Sequence, residues 1–270
     1  MVASESFNKE YIIKCCEGLY AEAFDTNSCI KILLQIGEYR RSGDHGMDPS
    51  PCFYNTTCNA MIRAAMMDVA KIYDGDSKSI SLLNVISYCN QFADCFPNTL
   101  SRKYVSAEGR NEVTQVPIRY TIREGELKRI KEDSRLHREI ELTKVFQRFF
   151  DLPCEPPFDL EVTAEELFAF YGKRHSALND IIKKVKNQRD KRYAHNDKDV
   201  AFDYERLLQE NNITFAELEK LVDFALEVTT MIIELLTGEH KPWSYYNIDD
   251  LADTLNLVKL GIKQKENGTS

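Results

Sequence analysis

The stretch TAEELFAFYGKRHSALNDIIKKVKNQRDKRYAHND, residues 163–197, decides the fold. Thr163 and Glu166 have the spacing of a capping box, in which two side chains satisfy free backbone N–H groups at the start of a helix. Apolar residues then recur near the helical period, at Tyr171, Leu178, Ile181, Ile182 and Val185. Such a stripe is typical of a helix with one buried face. We therefore predict one long amphipathic helix from residue 163 to about residue 191.

Further amphipathic helices flank this one along the chain. The apolar periodicity predicts them over about 6–41, 52–73, 79–95, 123–150, 214–237 and 247–260. The helix over 123–150 is strongly basic. Long amphipathic helices joined by short turns pack side by side with alternating directions. The chain is therefore predicted to be all-α, an antiparallel helical bundle.

Polar residues mark where several of these helices begin. Ser79 or Ser81 is expected to cap the third helix, and Asn247 the last one, because short hydroxyl and amide side chains accept from the first free N–H groups. A second capping box, Thr214 with Glu217, opens the helix over 214–237. The helix boundaries thus follow from capping chemistry as well as from periodicity.

The domain organisation is predicted to be a single helical domain over 1–270. Residues 98–122 are polar and mixed, and residues 151–160 are the Pro-rich DLPCEPPFDL. Residues 98–160 as a whole look like an insertion between the third and fourth core helices. Residues 240–270 are expected to form a C-terminal helix with a frayed tail, KQKENGTS, over 263–270.

Composition excludes several classes of protein. A net charge of −8 argues against a general nucleic-acid coat protein, which is basic. No signal peptide or membrane span is apparent, and the eight cysteines lack a C-x-x-C pair, so we expect reduced thiols in the cytoplasm. Neither a metal nor a cofactor is predicted, since no phosphate-binding loop, dinucleotide fingerprint or zinc-protease motif occurs.

The end of the long helix carries the candidate chemistry. Arg189 is a permanent cation with a forked set of donors that suits a phosphate, and His195 can exchange a proton near neutral pH. Residues 183–192 hold six basic residues and one acid, the densest basic run in an acidic chain. Two plainer interpretations stay open: an arginine that complements the helix dipole, and a histidine that fills a loop. A second Arg–His pair, Arg40 and His45, lies in a Gly-rich loop and is treated as chance.

The segment RDKRYAHND, 189–197, resembles the signature of the HEPN superfamily, an arginine and then a histidine after a short gap. Residues 53–86 resemble the AbiU-type, abortive-infection branch of that superfamily. The resemblance covers roughly 5–95 and 163–237. It implies a HEPN-type bundle that forms a homodimer, with two Arg–His motifs in one cleft, and in many members metal-independent cleavage of RNA. A toxin subgroup has a tyrosine two residues after the histidine that its partner modifies; Asp197 stands there instead, so that mode of control is not expected.

Roles follow by match to the signature and from the chemistry of the residues. Arg189 would hold the scissile phosphate, His195 would act as general base or acid, and Asp190 would orient one of them. The expected products carry a 2′,3′-cyclic phosphate and a 5′-hydroxyl. Contacts to the RNA are assigned to Lys186, Lys191, Arg192 and Asn196.

Two other readings compete with a ribonuclease. One is a catalytically inactive HEPN protein that binds RNA, a nucleotide or a protein partner. A neutralising partner protein would instead accompany an active ribonuclease. The other is a helical scaffold without a site. Trp243 beside Tyr245 and Tyr246 could stack a base, but packing of the last helix is the favoured interpretation.

Overall fold

The computed structural model describes residues 6–43, 45–97, 99–101, 138, 140–153, 160–190, 212–245 and 250–267. Within these ranges the chain is mostly helical, which confirms the all-α prediction. None of the described helices has both the length and the apolar character needed to cross a membrane.

Eight helices and one short strand pair make up the regular structure of the described residues. The helices are α1 Lys9–Arg41, α2 Pro51–Ile72, α3 Leu82–Gln91, α4 140–149, α5 Ala164–Ala177, α6 Asn179–Gln188, α7 Phe215–Thr237 and α8 Asp250–Asn267. The strands are β1 Leu100–Ser101 and β2 Glu161–Val162.

The predicted helix starts are largely confirmed. Both capping boxes form, with Thr163 accepting from the N–H of Glu166 and Thr214 from that of Glu217. Of the two candidate caps for α3, Ser81 is the one whose side chain accepts, from the N–H of Asn84. Asn247 lies outside the described residues.

Helix α7 is the centre of the fold. Its residues from Leu221 to Leu236 are almost all buried, on every side of the helix, as expected when neighbours surround it. It packs mainly against α1 and also contacts α2, α3 and α6. Gly238, in the left-handed conformation with φ 76°, ends it.

The single long helix predicted over 163–191 is wrong, because the chain breaks at Leu178 into α5 and α6. The N–H of Leu178 bonds to the carbonyls of His175 and Ser176 instead of continuing the α-helical ladder. Asn179 and Asp180 follow, and such residues have low helix propensity. The register of the apolar stripe therefore shifts, and Gln188 rather than Arg189 is the buried residue of the last turn.

Two other predicted ends are wrong. Helix α3 stops at Gln91 instead of Cys95, because its last turn tightens and a separate 3-10 turn forms over Ala93–Cys95. The tail predicted to be frayed is helical as far as Asn267. Its Lys, Gln and Glu residues favour a helix, and Leu255 anchors α8 with no exposed surface in a small second core.

The segment between α3 and α5 contributes to the core. Strands β1 and β2 pair antiparallel, with Leu100 opposite Val162. The two ends of the segment between these strands therefore lie side by side. Between them α4 buries Leu142, Val145 and Phe146 completely or nearly so. Residues 102–137 lie outside the described part, and an insertion over 98–160 stays a prediction; α4 at least is more than a surface elaboration.

Two basic residues of the helix predicted over 123–150, Arg138 and Arg148, face buried acids on α7. Arg138 pairs with Glu234, and Arg148 pairs with Glu227, whose side chain has no exposed surface. Arg174 of α5 pairs with the other oxygen of Glu227. A buried carboxylate is tolerated because it is paired on both oxygens. These contacts give this part of the basic helix a structural role.

A polar cluster that we call the His240 clasp, consisting of His240, Glu141 and Glu234, fastens the segment after α7. The Nδ1 atom of His240 lies 2.8 Å from Glu234 and its Nε2 atom 2.6 Å from Glu141. The second oxygen of Glu141 accepts from the N–H of Trp243 at 3.1 Å, and the indole of Trp243 donates to Thr230 at 3.0 Å. Trp243 is 6% exposed, which favours its packing role over base stacking.

Candidate functional site

Arg189 immediately follows α6, at the edge of the described structure. Its side chain is 25% exposed, and its Nε and Nη2 atoms both lie 2.7 Å from Oδ1 of Asp190. Asp190 itself is half exposed. The adjacent carboxylate of Asp190 thus holds the guanidinium of Arg189. Asp190 was expected to orient either Arg189 or His195, and the contact seen is the one with Arg189.

The remaining predicted site residues fall outside the described part. His195, Lys191, Arg192 and Asn196 all lie within 191–211, for which no placement is given. The convergence of Arg189 and His195 on one phosphate therefore stays a prediction.

The cations of α6 do not all remain available to a ligand. The Nζ atom of Lys184 lies 2.6 Å from Glu217, the acid of the second capping box. The carboxylate of Glu217 therefore binds Lys184 as well as the start of its own helix. Its pKa is lowered, most by the hydrogen bond from Lys184 and next by the N–H of Thr214. Lys183 is exposed and Lys186 is half-buried. The basic run predicted over 183–192 is thus partly neutralised by its own fold.

The turn between α2 and α3, residues 73–81, lies against the end of α6, a neighbour that the sequence did not reveal. A Cβ atom added at Gly75 would lie 3.3 Å from the Nζ atom of Lys186. The pKa of Asp74 is lowered, chiefly because it accepts from the backbone N–H of Asp76, and the charge of Arg189 contributes. The sequence of this segment, DGDSKS over 74–79, is typical of a turn, and no local pattern shows which helix it approaches.

A second imidazole lies behind this turn. His175 is 6% exposed, with its ring 5.7 Å from that of Tyr73 and 6.5 Å from that of Phe224. Burial lowers the pKa of His175, and the charge of Lys186 lowers it further. The Nε2 atom has no partner among the described residues. His175 is therefore a neutral core histidine near pH 7 whose ring is shielded from solvent.

No group of three or more His, Cys, Asp or Glu side chains in the described ranges is arranged to hold a metal ion.

A comparison with known families gives one match. The family model HEPN_AbiU2, described as AbiU2, matches residues 157–256. This range contains α5 to α7 and the Arg189–His195 segment. It includes the second of the two segments in which we noted the resemblance and extends past residue 237, whereas residues 5–95 lie outside it. Neither a curated protein nor a solved structure gives a match.

Proposed function

We propose, from the match of residues 157–256 to the AbiU2 model of the HEPN superfamily, that the protein is a metal-independent endoribonuclease of a phage-defence or toxin–antitoxin system. The observation that carries the proposal is the guanidinium of Arg189. It lies within the matched segment, is fixed by Asp190, and keeps a quarter of its side-chain surface open. A fixed, partly exposed arginine suits a phosphate better than a mobile one.

The chemistry divides between two residues. Arg189 would bind the non-bridging oxygens of the scissile phosphate and stabilise the charge that develops there. His195 would take the proton of the ribose 2′-hydroxyl or give one to the leaving 5′-oxygen, for which an ordinary imidazole pKa of about 6.5 is suitable. The 2′-oxygen attacks the phosphorus, the bond to the 5′-oxygen breaks, and the products carry a 2′,3′-cyclic phosphate and a 5′-hydroxyl.

The nearby cations would hold the strand on either side of this phosphate. Lys186, Lys191, Arg192 and Asn196 are the residues proposed for these contacts. Binding through lysine and arginine weakens steeply as salt rises, because bound phosphates release counterions. The positive charge is concentrated over residues 183–192, which is compatible with a net charge of −8 for the whole chain.

The test is cleavage of labelled RNA in the presence of a chelator by wild type, Arg189→Ala and His195→Ala. We expect cleavage by wild type alone, with 5′-hydroxyl ends that polynucleotide kinase labels without prior phosphatase treatment. The chain supplies a matched control in its second Arg–His pair, so Arg40→Ala and His45→Ala should cleave like wild type. Equal cleavage by His195→Ala would falsify the assignment.

The homodimer is part of the same proposal. If each cleft combines residues of two copies, a mixture of Arg189→Ala and His195→Ala protein should regain part of the activity that each lacks alone. Activity of wild type that persists at dilutions where it is monomeric would contradict a shared cleft.

A second candidate function is RNA or partner binding without cleavage. One observation favours it: Asp190 occupies two of the donor nitrogens of Arg189, which leaves fewer donors to stabilise the charge that develops during cleavage. RNA that binds in an Arg189-dependent way at every pH from 5 to 9 but stays intact would support this candidate and reject the nuclease.

A further inference from the structure

Residues 240–245, which we call the strap, follow α7 and form neither helix nor strand. Side chains of α1 hold the strap by its backbone. The hydroxyl of Tyr20 donates to the carbonyl of Pro242 at 2.7 Å, and the amide of Asn27 donates to the carbonyl of Trp243 at 2.6 Å. No backbone-to-backbone hydrogen bond ties the strap to another described residue. The strap is therefore fastened by side chains of the neighbouring helices.

The His240 clasp joins the strap to α4 and α7 through one imidazole. Only 2% of the His240 side chain is exposed, and its two ring nitrogens lie 2.8 Å from Glu234 and 2.6 Å from Glu141. Both nitrogens donate only when the ring is protonated. A neutral ring would donate to one carboxylate and turn a lone pair towards the other. Loss of one proton therefore replaces an attraction by a repulsion at a buried position.

The groups around the clasp keep this ring protonated near neutral pH. Burial lowers the pKa of His240, but the hydrogen bonds and charges of Glu141 and Glu234 outweigh burial and raise it to about 9. Burial would raise the pKa of Glu234, but the hydrogen bond from His240 and the charge of Arg138 lower it. The charged and titratable groups around the clasp are Glu141 and Arg138 from the α4 side, Glu234 from α7, and Tyr20 and Lys31 from α1.

The helices beneath the strap do not need it for their own backbone bonds. Helix α7 keeps its hydrogen-bond ladder, whereas the strap has none. The surface under the strap is partly polar, since Asn27 and Thr230 are buried there and bond to Trp243. Both side chains would bind water once the strap had left. Segments with few backbone bonds open at a lower free energy than the core around them, so the strap fits a unit that opens by itself.

We propose that the strap is held shut by a proton: it stays closed while His240 donates to both acids, and it opens as a local unit, with the helical core intact, once the ring has lost that proton. This inference does not depend on the proposed ribonuclease activity.

The size of the effect follows from proton linkage. In the open strap His240 has an ordinary pKa of about 6.5. Between about pH 6.5 and about pH 9 the closed form therefore holds a proton that the open form has released. The equilibrium constant for opening should rise about tenfold per pH unit across this range, and about 300-fold in all.

Hydrogen exchange of the indole N–H of Trp243 tests the local opening. The chain has one tryptophan, so the indole gives a single signal, and its N–H is bonded to Thr230 in the closed strap. We expect its protection factor, corrected for the intrinsic exchange rate, to be at least about tenfold below those of the amides of Met231 and Ile232, which have no exposed surface. Equal protection factors would mean that the strap leaves only when the whole protein unfolds, and would overturn the proposal.

The same signal tests the role of the proton. In wild type the protection factor should fall by about 300-fold from about pH 6.5 to about pH 9. In His240→Gln, which cannot take up the proton, it should be nearly independent of pH. The matched control is Lys241→Gln, which removes a cation of the strap and its 3.7 Å ion pair with Glu17 but leaves the clasp, so it should keep the wild-type slope. A wild-type protection factor that does not change with pH, or the same slope in His240→Gln, overturns the proposal.

Glu141→Gln is a second variant, which does not rely on the folding of His240→Gln. It leaves a single acid, Glu234, at the imidazole, so the fall in protection should be smaller than in wild type and should end at a lower pH. A fall as large as that of wild type would reject the role of the clasp. Cleavage of RNA plays no part in these measurements, so failure of the ribonuclease proposal leaves their outcome unaffected.

Discussion

The His240 clasp should make the stability of this protein fall as the pH rises from about 6.5 to about 9, and replacing His240 by glutamine should remove that dependence. Burial alone lowers the pKa of His240. The hydrogen bonds and charges of Glu141 and Glu234 outweigh burial and raise this pKa from 6.5 to about 9. The folded protein therefore keeps a proton on His240 in a pH range where the unfolded chain has released it.

The sign and the size follow from this linkage. Between the two pKa values the folded state binds more protons, so each rise in pH favours the unfolded state. Stability from the clasp is complete below about pH 6.5 and is lost by about pH 9. At about 1.4 kcal/mol per pKa unit, the change from 6.5 to about 9 corresponds to about 3 kcal/mol.

The assay is urea unfolding of wild type and His240→Gln at several pH values, at one protein concentration. Trp243 is the only tryptophan of the chain and takes part in the same hydrogen bonds, so its fluorescence reports on the clasp directly. We expect the difference in unfolding free energy between the two proteins to shrink by about 3 kcal/mol from pH 6 to pH 10. Cysteines and tyrosines that titrate at high pH affect both proteins alike. Parallel curves for the two proteins would refute the reasoning.

Two further predictions concern stability. Glu227→Gln should destabilise the fold by about 3–5 kcal/mol, because a buried negative charge is lost while its two arginine partners remain. Urea unfolding measures this loss, and Glu239→Gln, at an exposed position, is the matched control. Similar losses in both variants would contradict the prediction. Leu255→Ala should lower the free energy of unfolding by about 2–5 kcal/mol, because removal of its fully buried side chain leaves a cavity. Leu257 is 70% exposed, so Leu257→Ala should change the free energy of unfolding by no more than about 0.5 kcal/mol. Comparable melting temperatures in these two variants would show that α8 is not docked through Leu255.

Local chemistry was sufficient where a few neighbouring residues decide the outcome. Thr163 with Glu166 and Thr214 with Glu217 start their helices as predicted, because both partners of a capping box lie within four residues of sequence. The same reasoning failed at Leu178. There the periodicity of the apolar residues continues across the break, and two weak helix formers, Asn179 and Asp180, were the only local sign of it.

In the proposed site, too, some features follow from neighbouring residues and others only from the packing of distant helices. Arg189 and Asp190 were proposed from the sequence, because they are adjacent and lie in the segment that resembles the HEPN signature. The approach of Gly75 to Lys186 was missed, because it arises from the packing of α2 against α6. The basic helix was interpreted by its charge alone, and only the fold revealed that Arg148 faces a buried acid.

By itself the sequence determined the helical class, the starts of the helices and the arginine that carries the proposed chemistry, since each depends on residues within one or two turns of one another. The tertiary structure decided which acids neutralise which cations, which turn borders Lys186 and where the long helix breaks. Those choices depend on contacts between residues as far apart in the chain as Glu141 and His240, and the energies of such contacts are settled only when distant helices pack.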